Sequence, residues 1–284
     1  MGTSWFVFSI LATLSFGIGM ALYKVPSFKK QSRYVTAFWA MIIPLVLSII
    51  FFNSFLYLSS WEMVLAAGIW GIAFSLLVMF QMYALKYVDT NALFPITSTI
   101  SLVVTLVVGF LIFNELISLV QFLGILIVLV IVYVYLYKKD KLQYSNTILF
   151  TGLGIIAFSA FNKLLHKFVA TSFDIHAYQI YQYLFAAIFS FLILAWVHRK
   201  NIKKAFSKKS FFAGGLIGIF SFLGGYSWLI ALTKGSFVLV TSIHSLYILI
   251  TALTGFFLFK EKLNKKIILL IIGAILALLL MKLG

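Results

Sequence analysis

Charged residues are missing from this chain for twenty or more positions at a stretch. Between Thr90 and Phe113 there is none, and between Trp61 and Ala84 only Glu62. About 20 apolar residues are what an α-helix needs to cross the hydrocarbon of a bilayer. Ten such stretches fit, at 3–22, 33–52, 61–84, 90–113, 117–137, 145–166, 174–197, 210–232, 236–259 and 265–283. A soluble core cannot hide a composition that is 63% hydrophobic and 10% charged, so the chain reads as an all-α polytopic membrane protein. The runs are continuous rather than alternating, which excludes a barrel. Connections as short as Asn114-Glu115 and Lys234-Gly235 make neighbouring helices antiparallel. The N-terminus lacks a basic lead-in, so no cleavable signal peptide is expected, and Phe6 breaks the myristoylation pattern.

The chain also repeats itself. A shift of 147 places Gly68, Gly71, Ile72, Leu76, Ala84 and Leu85 over Gly215, Gly218, Ile219, Leu223, Ala231 and Leu232. A shift of 146 matches Thr105, Gly109, Phe113 and Glu115 with Thr251, Gly255, Phe259 and Glu261. Earlier, a shift of 142 aligns Phe16 with Phe158, Leu22 with Leu164 and Ser48 with Ser190. The order is kept and the drift is that of small loop insertions, so two units of five helices are expected, 1–140 and 141–284. Five is odd, so the second unit crosses the membrane in the opposite sense: ten transmembrane helices as two inverted-topology repeats. Glu115 and Glu261 then end the fourth helix of each unit on opposite faces, each within reach of water.

Ten spans in two halves, with Ala84-Leu85 and Glu115 answered by Ala231-Leu232 and Glu261, resemble the drug/metabolite transporter superfamily, and within it the EamA-type carriers. The resemblance covers essentially the whole chain. It implies a carrier for small metabolites, with the fifth and tenth helices peripheral. One departure is visible: the family often has a proline about thirteen residues before that Glu, where this chain has Leu102 and Ile248. Pro95 lies earlier in its helix.

Of 22 Lys and Arg, 18 fall in the odd-numbered loops, which the positive-inside rule assigns to the cytoplasm, with both termini outside. The resemblance implies the reverse for the termini. The net charge of +16 sits in these short gaps, as loop markers and headgroup contacts rather than a nucleic-acid groove.

Polar side chains within spans are site candidates, because hydrocarbon tolerates them only where they face the bundle interior or water. The seventh span reads AYQIYQYLF: Gln179 and Gln182 lie about 60° apart on a helix, flanked by Tyr178, Tyr181 and Tyr183. That face suits a polar organic molecule, or else belongs to an interfacial aromatic belt. The ninth span aligns Thr241, His244, Ser245 and Thr251, with Ser98 opposite His244 in the repeat. The hydroxyls also fit backbone or interhelical bonding, whereas His244 is titratable and mid-span. Asn162 and Lys163 stand deep in the sixth span, where the ammonium either balances a substrate anion or snorkels to headgroups. Trp39, Gln81 and Trp228 complete the set, the last two being repeat equivalents. Ala67-x3-Gly71 and Gly214-x3-Gly218 read as close helix crossings.

None of the six acids falls mid-span, so proton exchange on a buried glutamate has no seat here, while His244 retains that option. With no cysteine, no paired histidines and no buried carboxylate pair, neither a metal, a cofactor nor an enzyme centre is expected. The leading expectation is a plasma-membrane secondary transporter. It would move a small polar or amphipathic metabolite, an amino acid or a related compound, by export or facilitated exchange. A lipid-linked carrier or scramblase is the alternative. The expected partners are the solute and membrane lipid but no nucleic acid, with the chain a monomer or homodimer.

Overall fold

The computed structural model describes residues 4–29, 31–87, 90–136, 146–199, 205–260 and 266–283. Its helices are α1 (Ser4–Leu22), α2 (Val25–Phe28), α3 (Arg33–Phe52), α4 (Trp61–Ala84), α5 (Thr90–Phe113), α6 (Leu119–Leu136), α7 (Asn146–Ser172), α8 (Ile175–Val197), α9 (Lys208–Lys234), α10 (Phe237–Ser245), α11 (Tyr247–Phe259) and α12 (Lys266–Leu283). A 3-10 turn follows α3 at Asn53–Leu58. No strand occurs among the described residues. Seven of these segments are long and apolar enough to cross a membrane, joined by shorter apolar stretches at Ile100–Phe113, Leu119–Ile131 and Leu269–Leu283. The chain is a multi-pass membrane protein.

Helix starts follow from local chemistry. The Ser32, Ser60, Ser207 and Ser236 hydroxyls accept from the backbone N–H three residues on, and Asp174 accepts from His176 and Ala177. Each cap satisfies donors that the first helical turn leaves free. Two helices end alike: Asn114 after α5 (φ 47°) and Lys260 after α11 (φ 54°) are the non-glycine residues in the left-handed region among those described. Such a residue closes the last turn and reverses the chain.

The helices interlock across the midpoint of the sequence. α1 packs on α9, α10 and α11, while α7 packs on α4 and α5; α3 meets α9, and α4 meets α8. The expected close crossings occur where glycine permits them. A Cβ on Gly71 would stand 2.6 Å from Phe185 Cβ and 2.7 Å from the Ala186 nitrogen on α8. One on Gly218 would stand 2.8 Å from Ile43 Cβ and 2.9 Å from Pro44 Cδ on α3. α6 and α12 lie against each other, Gly124 facing the Ala277 carbonyl, and belong to the bundle's rim. Leu111, Ile112 and Phe257 are among the side chains left facing outward, as lipid contact requires.

The ninth apolar stretch is not one helix. It breaks at Leu246, whose N–H reaches back three residues to Ile243 rather than four, and Leu249 bonds Leu246 in the same manner. No proline causes this. The neighbouring α1 touches both sides: Thr13 Oγ1, whose shorter bond is to the Ser9 carbonyl at 2.7 Å, also reaches the Ile243 carbonyl at 3.3 Å, and Thr251 Oγ1 donates to the Gly17 carbonyl at 3.0 Å. A hydroxyl competing for a helix carbonyl loosens the local ladder. α5, in contrast, runs unbroken over Thr90–Phe113 despite Pro95.

Candidate functional site

Near the middle of the bundle, α1, α4, α7, α8, α9 and α10 enclose a cavity of about 70 Å³. Its apolar wall comes from the first half of the chain: Phe16, Met20, Trp70, Phe74 and Leu77. Its hydroxyls, amide, ammonium and imidazoles come from the second half: Ser159, Asn162, Lys163, His166, Tyr183 and His244, with Trp228 beside them. Among the described residues no carboxylate lines it.

The polar side is organised as two short chains. Lys163 Nζ donates to Ser101 Oγ at 3.3 Å, and that hydroxyl donates to Ser159 Oγ at 3.2 Å. His166 Nε2 meets Gln182 Oε1 at 3.0 Å, and Gln182 Nε2 donates to Gln179 Oε1 at 2.8 Å. The Tyr183 hydroxyl donates to the Ser221 carbonyl at 2.7 Å, which turns the phenol edge toward the cavity and ties α8 to α9. Aromatic rings hold these groups in place. Trp70 stacks on Phe74 (4.3 Å between centroids) and on His166 (5.0 Å). His244 is boxed by Phe16 at 5.0 Å, Trp228 at 4.8 Å and Tyr247 at 5.1 Å.

Several polar atoms around this cavity have no protein partner although they are buried: Trp70 Nε1, both side-chain heteroatoms of Asn162, Gln179 Nε2, Tyr178 OH and His244 Nδ1. An unmade hydrogen bond at a buried donor or acceptor costs about 1–3 kcal/mol, so a cluster of them marks groups kept free for something else. With one ammonium, two imidazoles, an amide and indole N–H donors, the cavity offers hydrogen bonds to an acceptor-rich or anionic group. Its tryptophan and phenylalanine faces take an apolar or cationic portion.

The residues singled out from sequence divide clearly. Asn162, Lys163, Trp228 and His244 line the cavity. Gln179 and Gln182 are fully buried directly behind it, connected through His166. Tyr178 is buried against the far side of His166, with ring centroids 5.9 Å apart. Gln81 continues the α4 face of Trp70, Phe74 and Leu77 and leaves its Oε1 without a partner. Thr241 is buried with an unpartnered hydroxyl one turn before His244. Two lie elsewhere. Trp39 packs on Phe211 at 4.8 Å at the α3–α9 crossing, and Tyr181 faces the Ser59 hydroxyl at 3.4 Å at a helix end. The Ser98 side chain and Glu261 lie outside the described residues. His166, Trp70, Phe16 and Phe74 were not singled out, although His166 and Trp70 are central. Lys163 does not snorkel: it is 8% exposed and bonded inside the bundle.

Glu115 also differs from expectation. Rather than reaching water at a span end, its carboxylate is 12% exposed and accepts from Ser236 Oγ at 2.5 Å, Phe237 N at 2.6 Å and Val238 N at 2.9 Å, the free N–H groups that open α10. Lys167 Nζ stands 3.5 Å away and donates to the Leu232 and Gly235 carbonyls that close α9. An anion at one helix N-terminus and a cation at the neighbouring C-terminus are each in the favourable field. Together they fasten four segments at one end of the bundle.

No curated protein matches the chain. Among solved structures 27 chains match; one crystal structure superposes with a TM-score of 0.75 at 12% identity, covering 99% of this chain and 96% of that one. At that identity the likeness concerns the fold alone. Residues 146–283, the half that supplies the cavity's hydroxyl, amide, ammonium and imidazole groups, match the model of the EamA-like transporter family.

Proposed function

We propose that this protein is a secondary transporter of the plasma membrane. It moves a small amphipathic metabolite bearing an anionic group, an amino acid or related compound, by export or exchange. The observation that carries the reading is the central cavity. Lys163, Asn162, His166 and His244 converge there on tryptophan faces with several polar atoms unpaired and no described carboxylate nearby. A carboxylate of the solute would replace water on Lys163 and Asn162, and its apolar portion would lie against Trp70 and Trp228. At about 70 Å³ the cavity has room for only a few waters, so admitting a solute requires the ring wall to part.

Ten spans arranged as two inverted repeats, 1–140 and 141–284, supply the alternating access. Several pairings support that architecture. Gly71 abuts Phe185 and Ala186, while its partner at a shift of 147, Gly218, abuts Ile43 and Pro44, which are Phe185 and Ala186 shifted by 142. The two left-handed residues, Asn114 and Lys260, are likewise 146 apart. Because α1 packs on the second half and α7 on the first, the bodies that rock are mixed bundles rather than the two sequence halves. The lipid-linked carrier is the second reading; the convergence of Lys163, Asn162, His166 and His244 on the bundle centre favours a solute held there.

The test is uptake into proteoliposomes across amino acids, sugars, nucleosides and organic cations. Carriage of a carboxylate-bearing solute, with KM raised tenfold or more by Lys163→Ala and by Asn162→Ala, is expected. Carriage of organic cations alone would refute the substrate class. Flux untouched by His244→Ala combined with Gln179→Ala would refute the site.

A further inference from the structure

A second cavity lies far from the central one, on the outer surface at the opposite end of the bundle from Glu115. It is a groove of about 700 Å³ between α2, the start of α9 and the end of α11. Its floor is apolar, formed by Phe28, Phe212, Leu216 and Leu258, all with large exposed fractions. Its mouth is basic: Lys29, just after α2, and Lys209, in the first turn of α9, both border it and both are exposed. Lys24 Nζ adds a third positive charge 5.9 Å from the Phe259 ring centroid at the same rim. Beside them the side-chain amide oxygen of Gln31, Oε1, is buried and has no partner.

The groove's volume lies within the usual range for ligand pockets. Three helix ends meet at it, so its mouth stands at headgroup depth and its floor runs into the hydrocarbon. The loops at this end, after α2 and before α9, belong to the set that carries 18 of the 22 basic residues. An apolar floor, two bordering ammonium groups at headgroup level and an unused acceptor in the same lining describe one ligand class. We infer that the groove binds an anionic phospholipid. Its phosphate sits between Lys29 and Lys209, one acyl chain lies along Phe212 and Leu216, and a headgroup hydroxyl donates to Gln31. Basic pockets between membrane helices take acidic headgroups in this manner. The site is separate from the transport cavity and does not depend on the solute carried.

The test is native mass spectrometry of the full chain in detergent, titrated with phosphatidylglycerol or phosphatidylcholine of identical acyl chains. The wild type is expected to retain one phosphatidylglycerol in preference to phosphatidylcholine. Lys29→Ala with Lys209→Ala is expected to weaken that lipid about thirtyfold, roughly fivefold per lysine at headgroup depth. Lys29→Arg with Lys209→Arg keeps it. Leu216→Trp, which fills the floor, expels the lipid while leaving both lysines in place. Equal retention of the two lipids by the wild type, or an unchanged preference in the double alanine variant, would overturn the assignment.

Discussion

Glu115→Ala is the substitution whose cost can be worked most directly. The carboxylate accepts from one hydroxyl and two backbone N–H groups at 2.5–2.9 Å and faces Lys167 at 3.5 Å. Hydrogen bonds to a charged group contribute about 1.5–3 kcal/mol each. Their sum overstates the loss, because Ser236 still caps α10 through Leu239 N and Lys167 keeps two carbonyl acceptors. What remains is two unpaired N–H groups at the Phe237–Val238 turn and an ammonium without its anion, about 3 kcal/mol in total. Glu115→Gln leaves one good acceptor and should cost about half of that. Lys167→Met removes the weaker arm and should cost about 1 kcal/mol, with a coupling to Glu115→Ala near 1 kcal/mol in a double-mutant cycle. The assay is thermal unfolding of the purified protein in detergent. At about 2–4 °C per kcal/mol for a chain of this order of size, the alanine variant should melt roughly 6–12 °C lower. A shift below about 1 °C would refute the reasoning and return Glu115 to the role of a solvated span end.

The glycine crossings predict a sharp contrast in the same assay: Gly71→Ala and Gly218→Ala should each lower stability by about 1–3 kcal/mol through overpacking, whereas Gly152→Ala and Gly215→Ala, with nothing within 4 Å of the new methyl, should be neutral or slightly stabilising. At Lys260, φ 54° strains a long side chain, so Lys260→Asn should raise stability by several tenths of a kcal/mol, and Lys260→Pro should collapse it. The break at Leu246 depends on α1, so Thr13→Val should relax α10 and α11 toward one continuous helix. It should cost about 0.6 kcal/mol in stability and slow transport more than it weakens solute binding, read as a fall in kcat at near-constant KM.

The helical spans were legible because desolvating a charge in hydrocarbon is costly enough to write itself into composition; the structured boundaries differ by a few residues, mainly at α7, which runs to Ser172 instead of ending near 166. The break at Leu246 was not legible, since no proline marks it and the α1 hydroxyl that reaches the Ile243 carbonyl lies 230 positions away. Glu115 stood out by rarity, yet its partners lie over 120 positions downstream, so only its position and not its role could be read. At the cavity, Lys163 and Asn162 were visible as polar residues in an apolar run. Trp70, Phe16 and Phe74 were not, because aromatic residues are common throughout this chain. A usable signal existed in the sequence offset of 142: it sets Lys163 opposite Ala21 and Asn162 opposite Met20, so the polar member of each pair stands out against an apolar one.

The chain contains no cysteine, so one introduced thiol reports on a single position without background. Asn162→Cys lies in the central cavity and Trp39→Cys, on α3, lies outside it. If the cavity is the transport site, a small charged thiol reagent should modify Cys at 162, abolish uptake, and be held off by the transported solute in proportion to its occupancy. Modification of Cys at 39 should leave uptake intact and show no protection. Full labelling at 162 with uptake unchanged, or with no protection by a saturating solute, would contradict the assignment of the cavity as the transport site.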